Sequence, residues 1–366
     1  MSLQAEIEIV RATIRTDSYP MSIGEWMNLY ESDEIDIHPE FQRFFRWDEN
    51  QKSRFIESLL LGIPIPPIFV SQRKDGVWDV VDGLQRLSTL FEFFGILKDE
   101  KKENLPALSL EKTDYLPSLQ GKYWQHEDEA QSFSNTQRLI IKRSKIDASI
   151  ILYESDEKAK FELFQRLNTG GSKLSDQEIR NSILVMLNPD IYKWIKDLSN
   201  NENFQQCIAI TEKSEIESYD LDLITRFILL RNIDIEKLRG LGDVNYFLNK
   251  EMIEVVKSSS IDIAKEFVIF QEVFRTLNEV LADNSFRKFN VAKSKFGGGF
   301  LISAFEVIAL GLGFNSENIS TKKPNIESIV KELWSNEDFL RYSGSGIRAS
   351  SRLPNNIPLG RRIFSS

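Results

Sequence analysis

Asp82, Gly83, Leu84, Gln85 and Arg86 bring into five positions the side chains best suited to chemistry in this chain. Asp79, Val80 and Val81 lead in as a strand, and Leu87, Leu90, Phe91 and Phe94 recur at helical spacing afterwards. The run therefore predicts strand, tight turn, helix. The first N–H groups of such a helix have no intrahelical partner and sit at the positive end of the helix dipole. A phosphate can dock there, with Gly83 letting it approach the backbone. Arg86 would offer a fork of donors to the same oxygens, and Asp82 could hold a metal ion or orient the arginine. A purely structural reading explains the same letters: Asp82 caps the helix and Arg86 pairs with it. Local pattern favours that second reading slightly.

The surrounding chain supplies elements to position the turn. Ser22 with Glu25 has the form of a capping box opening a helix through Ile23, Trp26, Met27 and Tyr30. Ile35 and Ile37 suggest a short strand, and residues 38–43 a connector. A helix follows over about 49–61, with Phe55, Ile56, Leu59 and Leu60 inward. The prolines of 62–67 forbid helix, Ile68 to Val70 read as a strand, and Lys74-Asp75-Gly76 as the turn of a hairpin returning through Val77 to Val81. Residues 98–137 are irregular, either an insertion or lid or, more commonly, a solvated loop. A strand over 146–153 and a helix around Ala159 to Leu167 come next. Asn168 to Gly171 then turn the chain, and Ser175 with Glu178 opens another helix.

Beyond about residue 188 the periodicity is almost entirely helical, with candidates at 191–198, 221–230, 244–256, 263–281, 301–310 and 326–334, and a glycine-containing break at 296–300. The last stretch, 342–362, is rich in Ser, Gly, Asn and Pro. With Arg341, Arg348, Arg352, Arg361 and Arg362 it reads either as a frayed terminus or as a basic tail that folds onto an anion or a nucleic-acid backbone.

Composition excludes several chemistries. A net charge of -9 argues against a protein that coats nucleic acid with its whole surface, while leaving room for a local basic site. The single cysteine, Cys207, rules out an internal disulfide framework and a cysteine zinc site. Two histidines, His38 and His126, do not make an HNH nuclease centre. No stretch approaches the roughly 18 to 20 apolar residues of a membrane span, so the expected location is the cytoplasm, without membrane partners.

Three blocks in order resemble one family. They are His38-Pro39-Glu40-Phe41-Gln42-Arg43 with Arg46-Trp47; Gly62 to Pro66 followed by Asp82-Gly83-Leu84-Gln85-Arg86; and Phe164 to Gly171 with Leu174, Ser175 and Glu178. This is similar to the N-terminal domain of GmrSD-type modification-dependent restriction endonucleases, marked by a DGxQR motif and built on a core like that of ParB and sulfiredoxin. The resemblance implies an α/β (α+β) domain over 1–187 with an insert at about 98–140, and the helical periodicity beyond it reads as a separate all-helical domain over 188–366 with its basic tail. The resemblance also implies binding and hydrolysis of a nucleoside triphosphate with Mg2+, in bacterial defence against phage or other foreign, modified DNA. By the same resemblance Asp82, Gln85 and Arg86 are catalytic, with Asp82 the metal ligand. Gln42, Arg43, Gly83, Arg86, Arg166, Asn168, Thr169 and Gly170 surround the nucleotide. Leu84 stands where many relatives have a polar residue. The chain lacks a Walker A loop, so a P-loop mechanism is the wrong model. It also lacks the histidine-dependent nuclease domain of many longer relatives, which leaves cutting to a separate nuclease partner. The competing readings are a DNA-binding or scaffold module without turnover and a ParB-like nuclease. The nucleotide preference and any homo-oligomer stay open.

Overall fold

The structure is a computed structural model that describes residues 2–13, 15–37, 47–99, 101–155, 176–210, 218–258, 261–319, 323–344 and 346–365. The chain divides into two compact units, Met1–Leu174 and Ser175–Ser366.

The first unit is mixed α/β. Helix α1 (Leu3–Ala12) precedes strand β1 (Thr16–Ser22), α2 (Ile23–Glu31), β2 (Ile35–Asp36), α3 (Glu49–Leu60), β3 (Ile68–Gln72), β4 (Trp78–Asp82), α4 (Leu84–Phe93), α5 (Asn135–Arg143) and β5 (Lys145–Ile151). The strands form one sheet in the order β1-β5-β3-β4-β2. β3 and β4 are the expected antiparallel hairpin, and β3 runs parallel to β5 with Ile68 beside Ala148 and Val70 beside Ile150. Strand alternation turns Ile68, Val70, Ile146, Ala148 and Ile150 to one face, where they meet Trp26, Ile56, Leu90, Phe91 and Phe93 from the helices. Trp26 is fully buried and its indole N–H donates to the Ile146 carbonyl at 3.1 Å, so the largest core side chain leaves no polar atom unpaired.

Two helix starts follow local chemistry. The Ser22 hydroxyl accepts from the Glu25 N–H at 3.2 Å as the pattern predicts, and Asp48 and Gln51 make a complete capping box for α3. The irregular stretch after α4 is not the solvated loop that its composition suggested. Leu108, Leu110, Leu119, Trp124 and Phe133 join the same core. The buried Glu57 carboxylate of α3 holds the stretch in place, accepting from the N–H groups of Tyr115 (3.1 Å) and Leu116 (2.9 Å) and from the Thr113 hydroxyl. Ser53, one turn earlier, accepts from the Glu111 N–H at 2.8 Å. A buried carboxylate needs such partners, and here the chain supplies them from its own loop.

Among the described residues the second unit is built of helices and one hairpin. Its helices are Asp176–Leu187, Pro189–Ser199, Glu202–Ile208, Tyr219–Leu230, Val244–Lys257, Ile263–Leu281, Ile302–Phe314, Ile326–Leu333, Glu337–Ser343 and Ala349–Ile363. Strands β6 (Lys288–Asn290) and β7 (Lys295–Gly297) pair antiparallel where the sequence had shown only a glycine-rich break. Most of the Ile302–Phe314 helix is buried, and the Ala349–Ile363 helix lies against it at van der Waals distance. A Cβ on Gly360 would stand 2.3 Å from the Val307 carbonyl oxygen, and one on Gly311 2.5 Å from that of Gly360.

This final helix replaces the frayed terminus with regular structure and takes two of the five arginines out of the basic tail. Arg352 makes a two-pronged ion pair with the fully buried Glu306, at 2.6 and 2.9 Å, and Arg361 donates to the carbonyls of Arg231 and Ile233. Those cations belong to the core of the helical unit and are not held out for an anion. A second buried ionic group joins Arg180, Asp222 and Arg226. Burial opposes the Asp222 charge, but the two arginines hold its carboxyl below the ordinary carboxylate range. Among the described residues no helix is long and apolar enough to cross a membrane.

Candidate functional site

The turn between β4 and α4 has the shape the sequence predicts. Gly83 takes φ +101°, in the left-handed region that glycine tolerates and a side chain does not. Space demands glycine too, since a Cβ there would stand 2.3 Å from Cδ1 of the fully buried Ile68. Because the residue before α4 is a glycine, no side chain caps the helix. The first intrahelical bond runs from the Leu87 N–H to the Gly83 carbonyl at 3.0 Å. The positive end of α4 thus opens beside the last residue of a strand, without the Asp82 cap of the structural reading.

Arg86 is held on three sides. Its Nη2 donates to Asp82 Oδ2 at 2.9 Å, and its Nη1 donates to the carbonyls of Pro66 and Pro67, the latter at 3.0 Å. The guanidinium braces the proline segment before β3 against the end of β4, and its side chain is only 12% exposed. Burial pulls its pKa below the ordinary arginine value while the Asp82 charge pulls upward, and the group stays a cation. The pairing half of the structural reading is therefore present. Asp82, 29% exposed, keeps Oδ1 clear of that ion pair.

Gln85 Oε1 accepts from the backbone N–H of Trp47 at 3.4 Å, bringing the end of the connector beside the turn. Gln42 and Arg43 of that connector, and Arg166, Asn168, Thr169 and Gly170 of the third block, lie outside the described residues, as does the helix expected around 159–167. Of the expected site, the structure brings Asp82, Gly83, Gln85 and Arg86 together.

Two ion pairs around the site escaped the sequence reading. Lys52 of α3 binds both carboxylate oxygens of Glu92 of α4, at 3.0 and 2.9 Å, fixing the two helices to each other. Arg73 bridges Asp36 and Asp79 across β2, β3 and β4. Burial works against its charge, but hydrogen bonds to the two carboxylates leave its pKa raised. The signal for both was a charge at an inward register position, Lys52 one turn before Ile56 and Asp79 within a strand.

Among the described residues no group of three or more His, Cys, Asp or Glu side chains is arranged to hold a metal ion. Of the four site residues brought together, Asp82 supplies the one carboxylate; Mg2+ commonly takes one or two carboxylates and completes its shell with water and substrate phosphates.

These features define an α/β domain in which strand β4 leads through a left-handed glycine into an uncapped helix start. Residues 23–185 match the family model described as GmrSD restriction endonuclease, N-terminal domain, so that stretch of the chain is similar to this family. No curated protein matches the chain, and no solved structure does.

Proposed function

We propose that the first unit binds the phosphates of a nucleoside triphosphate at the Asp82–Arg86 turn and acts as a nucleotide-gated, Mg2+-dependent hydrolysing component of DNA restriction. The observation that carries this reading is the start of α4: a left-handed glycine with no side chain, at the end of a strand, beside a braced arginine. The family match supports the restriction setting; defence against modified or foreign DNA, with a separate nuclease doing the cutting, is part of the proposal. The core is read as ParB- or sulfiredoxin-like.

In this reading the α4 N-terminus and Arg86 provide fixed positive charge next to the phosphate. Preorganised charge of this kind needs no rearrangement as negative charge grows in phosphoryl transfer. Asp82 Oδ1 would be the protein ligand for Mg2+, which when bound would neutralise phosphate oxygens. Gln85 would orient the attacking water through its amide. Gln42 and Arg43 would approach with the connector, and Arg166, Asn168, Thr169 and Gly170 would close the other side, as the family resemblance assigns them.

One observation favours a second reading, a DNA-binding or scaffold module without turnover. Arg86 already has three partners, so the motif also has a structural use. Nucleotide titration with phosphate release separates the two. Saturable binding with Mg2+-dependent release supports the first reading, binding without release supports gating alone, and no binding leaves the scaffold.

A further inference from the structure

The β6–β7 hairpin lies in the second unit, outside the residues matched by the family model. Between Asn284 and Phe305 the sequence holds Arg287, Lys288, Lys293 and Lys295 and no acidic residue, in a chain of net charge -9. Strand alternation sorts this stretch into two faces. Phe289 and Phe296 stand opposite each other in the register, with ring centroids 4.9 Å apart, and Lys331 covers the Phe289 ring at 5.6 Å. That aromatic side anchors the hairpin.

The other side carries Lys288, Asn290, Lys295 and Gly297, all exposed, and Lys293 is exposed at the turn. Two acids beside the hairpin's anchors are already paired, Asp283 with Arg287 at 3.0 Å and Glu327 with Lys331 at 2.7 Å. Among the described residues Lys288, Lys293 and Lys295 have no acidic partner. With Asn290, Phe296 and Leu301 they line an open concavity of about 530 Å3 that also includes Gly297, Gly298 and Gly299, where no side chain keeps a ligand from the backbone.

We propose that this hairpin is a docking surface for the phosphate backbone of duplex DNA. Three lysines without acidic partners on one hairpin offer concentrated positive charge to a polyanion such as the phosphate backbone of a duplex. Lysine ammonium groups act as point charges toward phosphate, and the bare glycine backbone adds no side chain that could read a base edge, which suits binding to the DNA backbone. The proposal stands on the hairpin and does not depend on nucleotide binding in the first unit.

The test is fluorescence-anisotropy binding of the full chain to a duplex of about 20 base pairs, between about 50 and 200 mM salt. It compares the native chain with the combined variant Lys288→Gln, Lys293→Gln, Lys295→Gln. The native chain should bind, and the variant should bind at least about tenfold more weakly, with a log–log salt slope shallower by about 0.9 for each phosphate no longer neutralised. A second variant with all three changed to Arg should keep both affinity and slope, which guards against a folding effect. A third, Lys101→Gln, Lys102→Gln, Lys112→Gln, removes three exposed charges from the first unit and should bind as the native chain does. The proposal is overturned if the native chain fails to bind, if the first variant binds as tightly as the native chain, or if the third weakens binding as much as the first. Gln85→Glu, which tests the nucleotide site, should leave duplex binding unchanged, so the two readings fail separately.

Discussion

Replacing Arg86 by Met keeps most of its aliphatic length and removes the charge that joins Asp82 to the Pro66 and Pro67 carbonyls. Hydrogen bonds to a charged group contribute about 1.5 kcal/mol or more each, and breaking a largely buried pair costs about 3 to 5 kcal/mol. Asp82 is partly exposed and water can reach it again, so the lower end applies, about 3 kcal/mol. With a urea slope of about 2 kcal/mol/M the midpoint of the first unit should fall by about 1.5 M. Two units need not unfold together, so the readout is hydrogen exchange of the β3, β4 and α4 amides in urea, by mass spectrometry. Adding Asp82→Asn to the variant should recover about 1 kcal/mol, because it removes the carboxylate left without its cation. A midpoint shift under about 0.3 M would refute the brace. The consequence for function is direct: loss of nucleotide binding on removing Arg86 would not by itself locate the chemistry.

Other substitutions probe other parts of the molecule. Gly83→Ala should destabilise the first unit by about 2 to 4 kcal/mol, from the left-handed φ and the overlap with Ile68 Cδ1, and adding Ile68→Val should restore only the overlap part; thermal melts of both variants decide it. Gly360→Ala should cost the helical unit about 3 kcal/mol, since the Val307 carbonyl it meets is backbone of a buried helix; an unchanged melt would contradict that packing. Burial first, and then the Asp222 charge, push the Tyr219 hydroxyl up to about 12. The folded chain therefore keeps a proton that the unfolded chain releases above about pH 10. Stability of the helical unit should fall by about 2 to 3 kcal/mol between pH 10 and 12, and Tyr219→Phe should remove that part of the slope in denaturation curves taken across the range.

Local signals made α2, α3, the β3–β4 hairpin and the Gly83 turn legible, because each rests on a cap, an Asp-Gly turn or an apolar period within a few residues. Strand β1 was not, because Thr-Asp-Ser-Tyr-Pro has no alternation of its own. Its pairing with β5 makes it a strand, and its edge position tolerates Pro20. The last helix was hidden by Pro354 and Pro358, which argue against helix locally. Close packing through Gly360 and the Arg352–Glu306 pair override them. At the site, residue types pointed to the Asp82–Arg86 cluster, but nothing local showed that Arg86 reaches back to the carbonyls of a segment twenty residues earlier.

The most direct test of the central claim is calorimetric titration of the full chain with ATP, GTP, CTP and UTP in Mg2+, native beside Gln85→Glu. This variant keeps an oxygen acceptor for the Trp47 N–H and places a negative charge in the first turn of α4, where the helix dipole welcomes it and a phosphate does not. Nucleotide binding at the turn predicts saturable binding of at least one nucleotide, weakened about tenfold or more in the variant, a difference of about 1.4 kcal/mol. Equal binding by the two proteins, or none by the native chain, would contradict it.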